Sequence, residues 1–247
     1  MSEQTRGMDE VVLESVIKPE DMAKLNEEAN NVVKRINDTD SSQVDSLLEQ
    51  LSNFGGNEQR LAGESLNSLR RPVKDMMDSD NNHGIPDNLL KLRQAVNELN
   101  PNSLEAKGLA KIMPKFMRKK STDKYVAKYQ SVEKNIDEIV QSLLRGRDML
   151  QEDNAELEVI KKDVHEKIYL LEKQIFMGKN LFQMIEDKRN DPEWQGKTQL
   201  VNESQEKIIV RTKNMSSMVN VLQQSLASVG IIKKNNDKLK EAIRNAI

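Results

Sequence analysis

The chain has 247 residues, of which 36% are apolar and 32% charged, with a formal net charge of -2 and no cysteine. The lack of cysteine excludes disulfides, thiolate metal sites and thiol-based redox chemistry within this chain. No stretch approaches the roughly 18 consecutive apolar residues of a membrane-spanning helix, and the N-terminus lacks the apolar core of a signal peptide. We therefore predict a cytoplasmic protein.

The apolar residues recur at helical spacing, and no convincing alternating strand pattern occurs. Aromatic residues make up only 3% of the chain, which is typical of helices that pack through thin aliphatic seams. We predict an all-α fold: a small N-terminal bundle of short helices, followed by an elongated, coiled-coil-like antiparallel hairpin of two long helices.

Charge is unevenly distributed along the chain. Residues 1–106 carry 11 basic and 20 acidic side chains, residues 107–128 carry eight basic and one acidic, and the remainder carries 19 of each. From charge and periodicity we predict four segments. They are a disordered tail over 1–16, an acidic small-helix region over 17–106, a basic connector over 107–121 and a hairpin arm over 122–247.

The acidic region is predicted to hold short helices. The first begins at Pro19, with proline in its first turn and acidic residues near its start, and it ends at residues 37–40. The second follows Ser41 or Ser42 and stops at the glycine pair 55–56.

Proline also bounds the next two predicted helices. The third is interrupted at Pro72, and the fourth opens at Pro86 and closes at residues 100–101. The apolar residues predicted to face inward from the fourth helix are Leu89, Leu92, Val96 and Leu99.

A long amphipathic helix is predicted to follow a cap at residues 121–123, with a narrow apolar seam that is interrupted at Gly146 and Asp153. The seam residues are Tyr125, Tyr129, Val132, Ile136, Ile139, Leu143, Leu150, Leu157, Ile160, Val164, Ile168, Leu171, Ile175, Phe182 and Ile185. We predict that Asp191 ends this helix region and caps a second long helix. The periodicity persists at Ile247, so a further helical segment is expected there. A hairpin is the simplest arrangement, and a coiled coil between chains is the alternative.

Three blocks of sequence resemble the toxic-anion-resistance family, the TelA-type tellurite-resistance proteins. They are residues 92–101 (LRQAVNELNP), 129–157, which include YQSVEKNID and DNAEL, and 232–236 (IKKNN). The resemblance runs from about Pro19 to the end and depends on the order and spacing of the blocks. It implies a bacterial cytoplasmic helical protein linked to survival of tellurite and of envelope-directed agents, and further helix after Ile247. It supplies no catalytic residue.

The basic segment is the main candidate site, because its cations alternate with apolar side chains. Such a segment docks on anionic lipid, with each basic residue contributing about 1 kcal/mol near the surface. The alternative is internal pairing with the acidic region, which Pro114 favours by interrupting the helix. Nucleic acid is disfavoured, because aromatic residues for stacking are few. The candidate docking residues are Lys107, Lys111, Lys115, Arg118, Lys119, Lys120, Lys124 and Lys128.

Other polar residues are interpreted structurally. His83 and His165 lack further ligands for a metal site, and residues 78–87 lack the closing glutamate of a calcium loop. Gly146 between two arginines predicts a close helix crossing, a hinge or a bound anion. The helically spaced methionines are expected to fill the seam.

We therefore predict no enzyme activity, no cofactor and no metal. The sequence favours a helical interaction or scaffold protein in stress and envelope-agent resistance, with protein partners along its seams, peripheral contact with anionic membrane and self-association as an option. One alternative is a purely structural coiled-coil oligomer, and another is an anion-binding protein.

Overall fold

The computed structural model describes residues 17–77, 83–98 and 115–247, without the side chains of residues 71–77 and 115–128. Its elements, in chain order, are α1 (Pro19–Asp38), α2 (Val44–Ser52), α3 (Gly56–Met77), α4 (Ile85–Glu98), α5 (Lys115–Lys188), a 3-10 turn (Pro192–Trp194) and α6 (Thr198–Ala246). No strand occurs in these ranges. The predicted all-α fold class, with short helices followed by a hairpin of α5 and α6, is confirmed.

The chain divides into two compact units. The first comprises Met1–Arg70 and Val159–Ser228, and the second comprises Arg71–Glu158 and Val229–Ile247. Helices α5 and α6 each supply residues to both units. The predicted tail over 1–16 lies outside the described residues.

The first unit packs α1 and α2 against the turn end of the hairpin. Helix α1 begins with Pro19 at its first position and buries Leu25, Ala29, Val33 and Ile36 at i, i+4, i+8 and i+11. These side chains join one core with residues of α2, α5, the 3-10 turn and α6, including the buried tryptophan. Leu25, Ala29, Val33 and Ile36 thus form the face of α1 that packs into this core.

The turn from α2 to α3 also agrees with the prediction. Gly55 has a φ of 65°, and a β-carbon there would meet the sulfur of Met215 on α6. Both the left-handed backbone and the close approach require glycine. The start of α2 lies at Val44, after a turn in which Asp40 accepts hydrogen bonds from the amide and hydroxyl of Ser42.

The second unit packs α4 against α5 and α6. Its core contains Ile85 and Leu92 from α4, and the residues contributed by the long helices are Ile139, Leu143, Leu150 and Ile243. Val96, predicted to face inward, is 53% exposed, and the neighbouring Ala95 occupies the buried position at the end of α4. Leu99 and the predicted stop at residues 100–101 lie outside the described residues.

Three helix boundaries differ from the predictions. Helix α3 continues through Pro72 to Met77, so the proline does not end the helix although it removes one backbone hydrogen bond. Helix α5 begins at Lys115, before the predicted cap, since no glycine or proline lies between Pro114 and Gly146. Asp191 precedes the 3-10 turn without a side-chain cap bond, and α6 begins only at Thr198.

Candidate functional site

The predicted basic segment is only partly covered by the described residues. Lys107 and Lys111 lie outside them. The other six basic residues, from Lys115 to Lys128, lie on the first turns of α5, in the range without described side chains. Their role as a docking surface therefore stays a prediction.

Both interruptions of the α5 seam are contacted by residues of the segment 83–85, which leads into α4. Gly146 lies against Ile85, which is fully buried. Asp153 accepts a hydrogen bond from His83, with 3.0 Å between its Oδ2 and the ring Nε2. His83 itself has a φ of 51°, in the left-handed region. The predicted close crossing at Gly146 is thus confirmed, and His83 serves to fix α4 on α5.

The other sequence candidates stay apart from one another. His165 is exposed on α5, while Met177 and Met215 are buried as predicted. Asp78 and Asp80 lie outside the described residues. Within the ranges that the structure covers, no three His, Asp or Glu residues are grouped so as to hold a metal ion.

A buried polar layer joins α5 and α6 in the second unit. Asn236 is 3% exposed and donates from Nδ2 to Oδ1 of Asn154 at 3.0 Å. Asn154 is 7% exposed and in turn donates to Oδ1 of Asp237 at 3.1 Å. Amides buried between helices require such partners, because an unpaired one costs about 1–3 kcal/mol. The layer therefore fixes which residues of α5 and α6 face each other.

Two ion pairs flank this layer. Lys233 on α6 contacts Glu158 on α5, and Lys240 lies 2.8 Å from Oδ1 of Asp237. The hydrogen bond from Lys240 holds the pKa of the Asp237 carboxyl below its ordinary value, with smaller contributions from Lys233 and Asn154. The Asp237 carboxylate is thus held in place by both Asn154 and Lys240.

Asp237 also lines an open groove of about 550 Å³ between α5 and α6. Arg147, Lys240 and Arg244 bring positive charge to the groove, and Asp237 and Glu241 bring negative charge. Its apolar lining residues are Leu144, Ile243 and Ile247. An apolar groove with a rim of both charge signs suits a protein helix better than a small anion.

A second polar cluster lies in the first unit. Ser65, 4% exposed on α3, donates to Asp163 of α5, which pairs with Lys167 at 3.2 Å. The bond from Ser65 lowers the pKa of Asp163, and Asp163 raises the pKa of Lys167. This cluster attaches α3 to α5, and the Ser65 hydroxyl serves as the hydrogen-bond donor to Asp163.

The start of α1 is attached to α5 in a similar way. The hydroxyl of Tyr169 donates to Asp21 at 2.7 Å and accepts from the amide of Lys18 at 3.2 Å. Lys173 lies over the Tyr169 ring, with its Nζ 5.3 Å from the ring centroid. The Tyr169 hydrogen bond lowers the pKa of Asp21.

Sequence reasoning missed the asparagine layer, although a signal for it was present. Asn154 follows Leu150 by four residues and precedes Leu157 by three, so it occupies a seam position. A single asparagine at such a position is known to specify register between helices. Its partner on α6 is distant in sequence and was not foreseeable from spacing alone.

Comparison with known proteins gives one result. The family model described as toxic anion resistance protein (TelA) matches residues 38–247. No curated protein and no solved structure matches the chain. Within the described ranges, no helix has a stretch that is both long and apolar enough to cross a bilayer.

Proposed function

Because the chain belongs to the toxic anion resistance (TelA) family, we propose that it acts in this resistance as a non-enzymatic helical interaction protein. One observation carries the proposal. Residues from all three sequence blocks that resemble the family, namely Leu92, Asn154 and Asn236, are buried between helices. A pattern used for packing maintains a shape and the surfaces on it, which is what an interaction protein requires.

The surface that we assign to this role is the basic segment. This segment carries a net charge of +7 over residues 107–128, and in the sequence it directly follows an N-terminal region with a net charge of -9. Six of its eight cations lie on α5, so they are arranged along one helix. A cluster of this size binds anionic lipid headgroups, with roughly 1 kcal/mol for each residue near the surface. The protein would then be cytoplasmic, with peripheral contact to a membrane.

Vesicle flotation tests the docking surface. The chain should float with phosphatidylglycerol-containing vesicles at low salt, remain unbound with neutral phosphatidylcholine vesicles, and detach as salt rises. The quadruple variant Lys115→Glu, Arg118→Glu, Lys119→Glu and Lys120→Glu should lose binding at unchanged helicity.

A matched control makes the same change in charge elsewhere. Lys34, Lys188, Lys207 and Lys213 are exposed lysines, and their replacement by glutamate should leave most of the binding intact. Equal loss in both quadruple variants would indicate a response to net charge alone. Unaltered flotation of the first variant would refute the assignment and favour internal pairing with the acidic region.

Two further measurements test the function itself. In cells challenged with tellurite, the first quadruple variant should confer less resistance than the wild type, whereas the control variant should not. Calorimetric titration of the chain with tellurite should give no saturable heat. Saturable heat would replace the interaction role with anion binding.

A further inference from the structure

The charged residues that α6 contributes to the groove form a self-complementary pattern. Asp237, Lys240, Glu241 and Arg244 lie at i, i+3, i+4 and i+7, so they share one face of the helix. The order along the helix is acid, base, acid, base. An antiparallel copy of the same face therefore places Arg244 opposite Asp237 and Glu241 opposite Lys240, and no like charges face each other.

We propose that this groove is a self-association site, occupied by the same part of α6 from a second copy of the chain. The two copies are related by a two-fold axis near Lys240 and Glu241, so that each pair occurs twice. Apolar side chains complete the contact. Among them, Leu144 is half-buried in the groove.

The contacts within one chain favour a second copy over a small anion. Each groove cation already has a carboxylate neighbour: Arg147 contacts Asp148 at 2.8 Å, Lys240 contacts Asp237 at 2.8 Å, and Arg244 lies 4.0 Å from Glu241. A small anion would compete with these carboxylates. A second copy exchanges the partners instead, so every charge stays paired.

The buried asparagine layer supports this role, because it orients one of the interface charges. Asn154 and Lys240 both contact Oδ1 of Asp237, so the carboxylate is already oriented within one chain. A carboxylate fixed before association loses little side-chain freedom when it meets Arg244 of the second copy. The inference concerns a surface separate from the basic segment and does not depend on membrane docking.

An interface confined to this groove is small, so the dimer should be weak. We expect association at roughly 100 µM chain and above, decreasing as salt screens the charge pairs. Sedimentation equilibrium of the whole chain measures it. A wild-type chain that stays monomeric up to about 1 mM at low salt would overturn the proposal.

Charge exchange tests the pairing itself. Lys240→Glu places an acid opposite Glu241 of the second copy, and Glu241→Lys places a base opposite Lys240. Each should weaken association about tenfold or more, because a repulsive pair replaces an attractive one twice per dimer. Two remedies should restore it: the double variant Lys240→Glu/Glu241→Lys, and an equimolar mixture of the two single variants.

Control variants carry the same charge changes away from the groove. Lys238→Glu on α6 and Glu152→Lys on α5 are both at exposed positions and should associate like the wild type. Circular dichroism of every variant checks that helicity is retained. Single variants that associate like the wild type, or a mixture that fails to restore association, would show that another surface or another partner is involved.

Discussion

Gly146 of α5 and Ile85 of α4 pack closely together within the second unit. A β-carbon on Gly146 would lie 2.8 Å from Cγ1 of Ile85, which is fully buried and cannot withdraw into solvent. Glycine is therefore required here by the neighbouring helix, although its backbone conformation is helical.

Gly146→Ala should destabilise the protein. Alanine gains about 1 kcal/mol of helix propensity over glycine, whereas overpacking a core typically costs about 1–3 kcal/mol, so we expect a net loss of up to 2 kcal/mol. Urea unfolding followed by circular dichroism measures the change. Gly230→Ala on α6 is the matched control, since nothing lies within 4 Å of its β-carbon position, and it should stabilise the protein. Equal stabilisation by both changes would contradict the contact.

The same contact shows what the sequence predicts and what it leaves open. Periodicity identified the buried seam residues of α5, such as Leu143 and Leu150, because burial follows helical spacing. It also located the interruptions at Gly146 and Asp153. It did not reveal that residues 83–85 fill them, because a contact between segments so far apart in the chain has no local signature.

The candidate sites differ in how far the sequence could define them. The basic segment is visible from composition alone, since its charge does not depend on the fold. The groove and the asparagine layer arise only when α5 and α6 meet, so the local sequence does not distinguish Asp237 and Arg244 from other charged residues of α6. The exposure of Val96 was also not predictable, because helical spacing does not show at which residue a neighbouring helix stops covering that face of α4.

The asparagine layer should contribute more to specificity than to stability. Asn154→Ala leaves Nδ2 of Asn236 without its acceptor in a buried position, and we expect a loss of about 1–3 kcal/mol in the free energy of unfolding. Replacing Asn154 and Asn236 together by leucine removes both polar groups and should be nearly neutral or stabilising.

The measurement is chemical unfolding of the wild type, the single variant and the double variant. A double variant that is less stable than Asn154→Ala would contradict this account. Sedimentation of the double variant serves as a second readout, because loss of a register-fixing asparagine permits other helix pairings and new oligomers.

Acid stability should depend on the bond between Ser65 and Asp163. The bond lowers the folded-state pKa of Asp163. A lowered pKa stabilises the folded state at pH values above the ordinary aspartate value of about 3.9, and this stabilisation is lost as pH falls through the folded-state pKa. Ser65→Ala should therefore cost about 1 kcal/mol at pH 7, with Asp163 partly exposed, and much less near pH 2.

Urea unfolding at both pH values checks this expectation. Asp163→Asn should show the same flattening of the acid dependence, because it removes the titrating group itself. A loss in Ser65→Ala that is equal at pH 7 and pH 2 would mean that packing of the serine, and not its bond to the carboxylate, is responsible.

At Asp153, the apolar seam pattern and the observed contacts predict opposite effects of a substitution on stability. The sequence pattern predicts an interruption of the seam at Asp153, so by periodicity alone Asp153→Leu should complete the seam and stabilise α5. In the structure the Asp153 carboxylate accepts a hydrogen bond from Nε2 of His83, and both side chains are about four-fifths buried. Leucine would leave the imidazole without its partner beside an apolar side chain, so we expect a loss of about 1–3 kcal/mol. A double-mutant cycle with His83→Ala distinguishes the two predictions. The destabilisation caused by Asp153→Leu should be smaller when His83 is absent. If Asp153→Leu instead stabilises the wild-type background, completing the seam outweighs the attachment of α4.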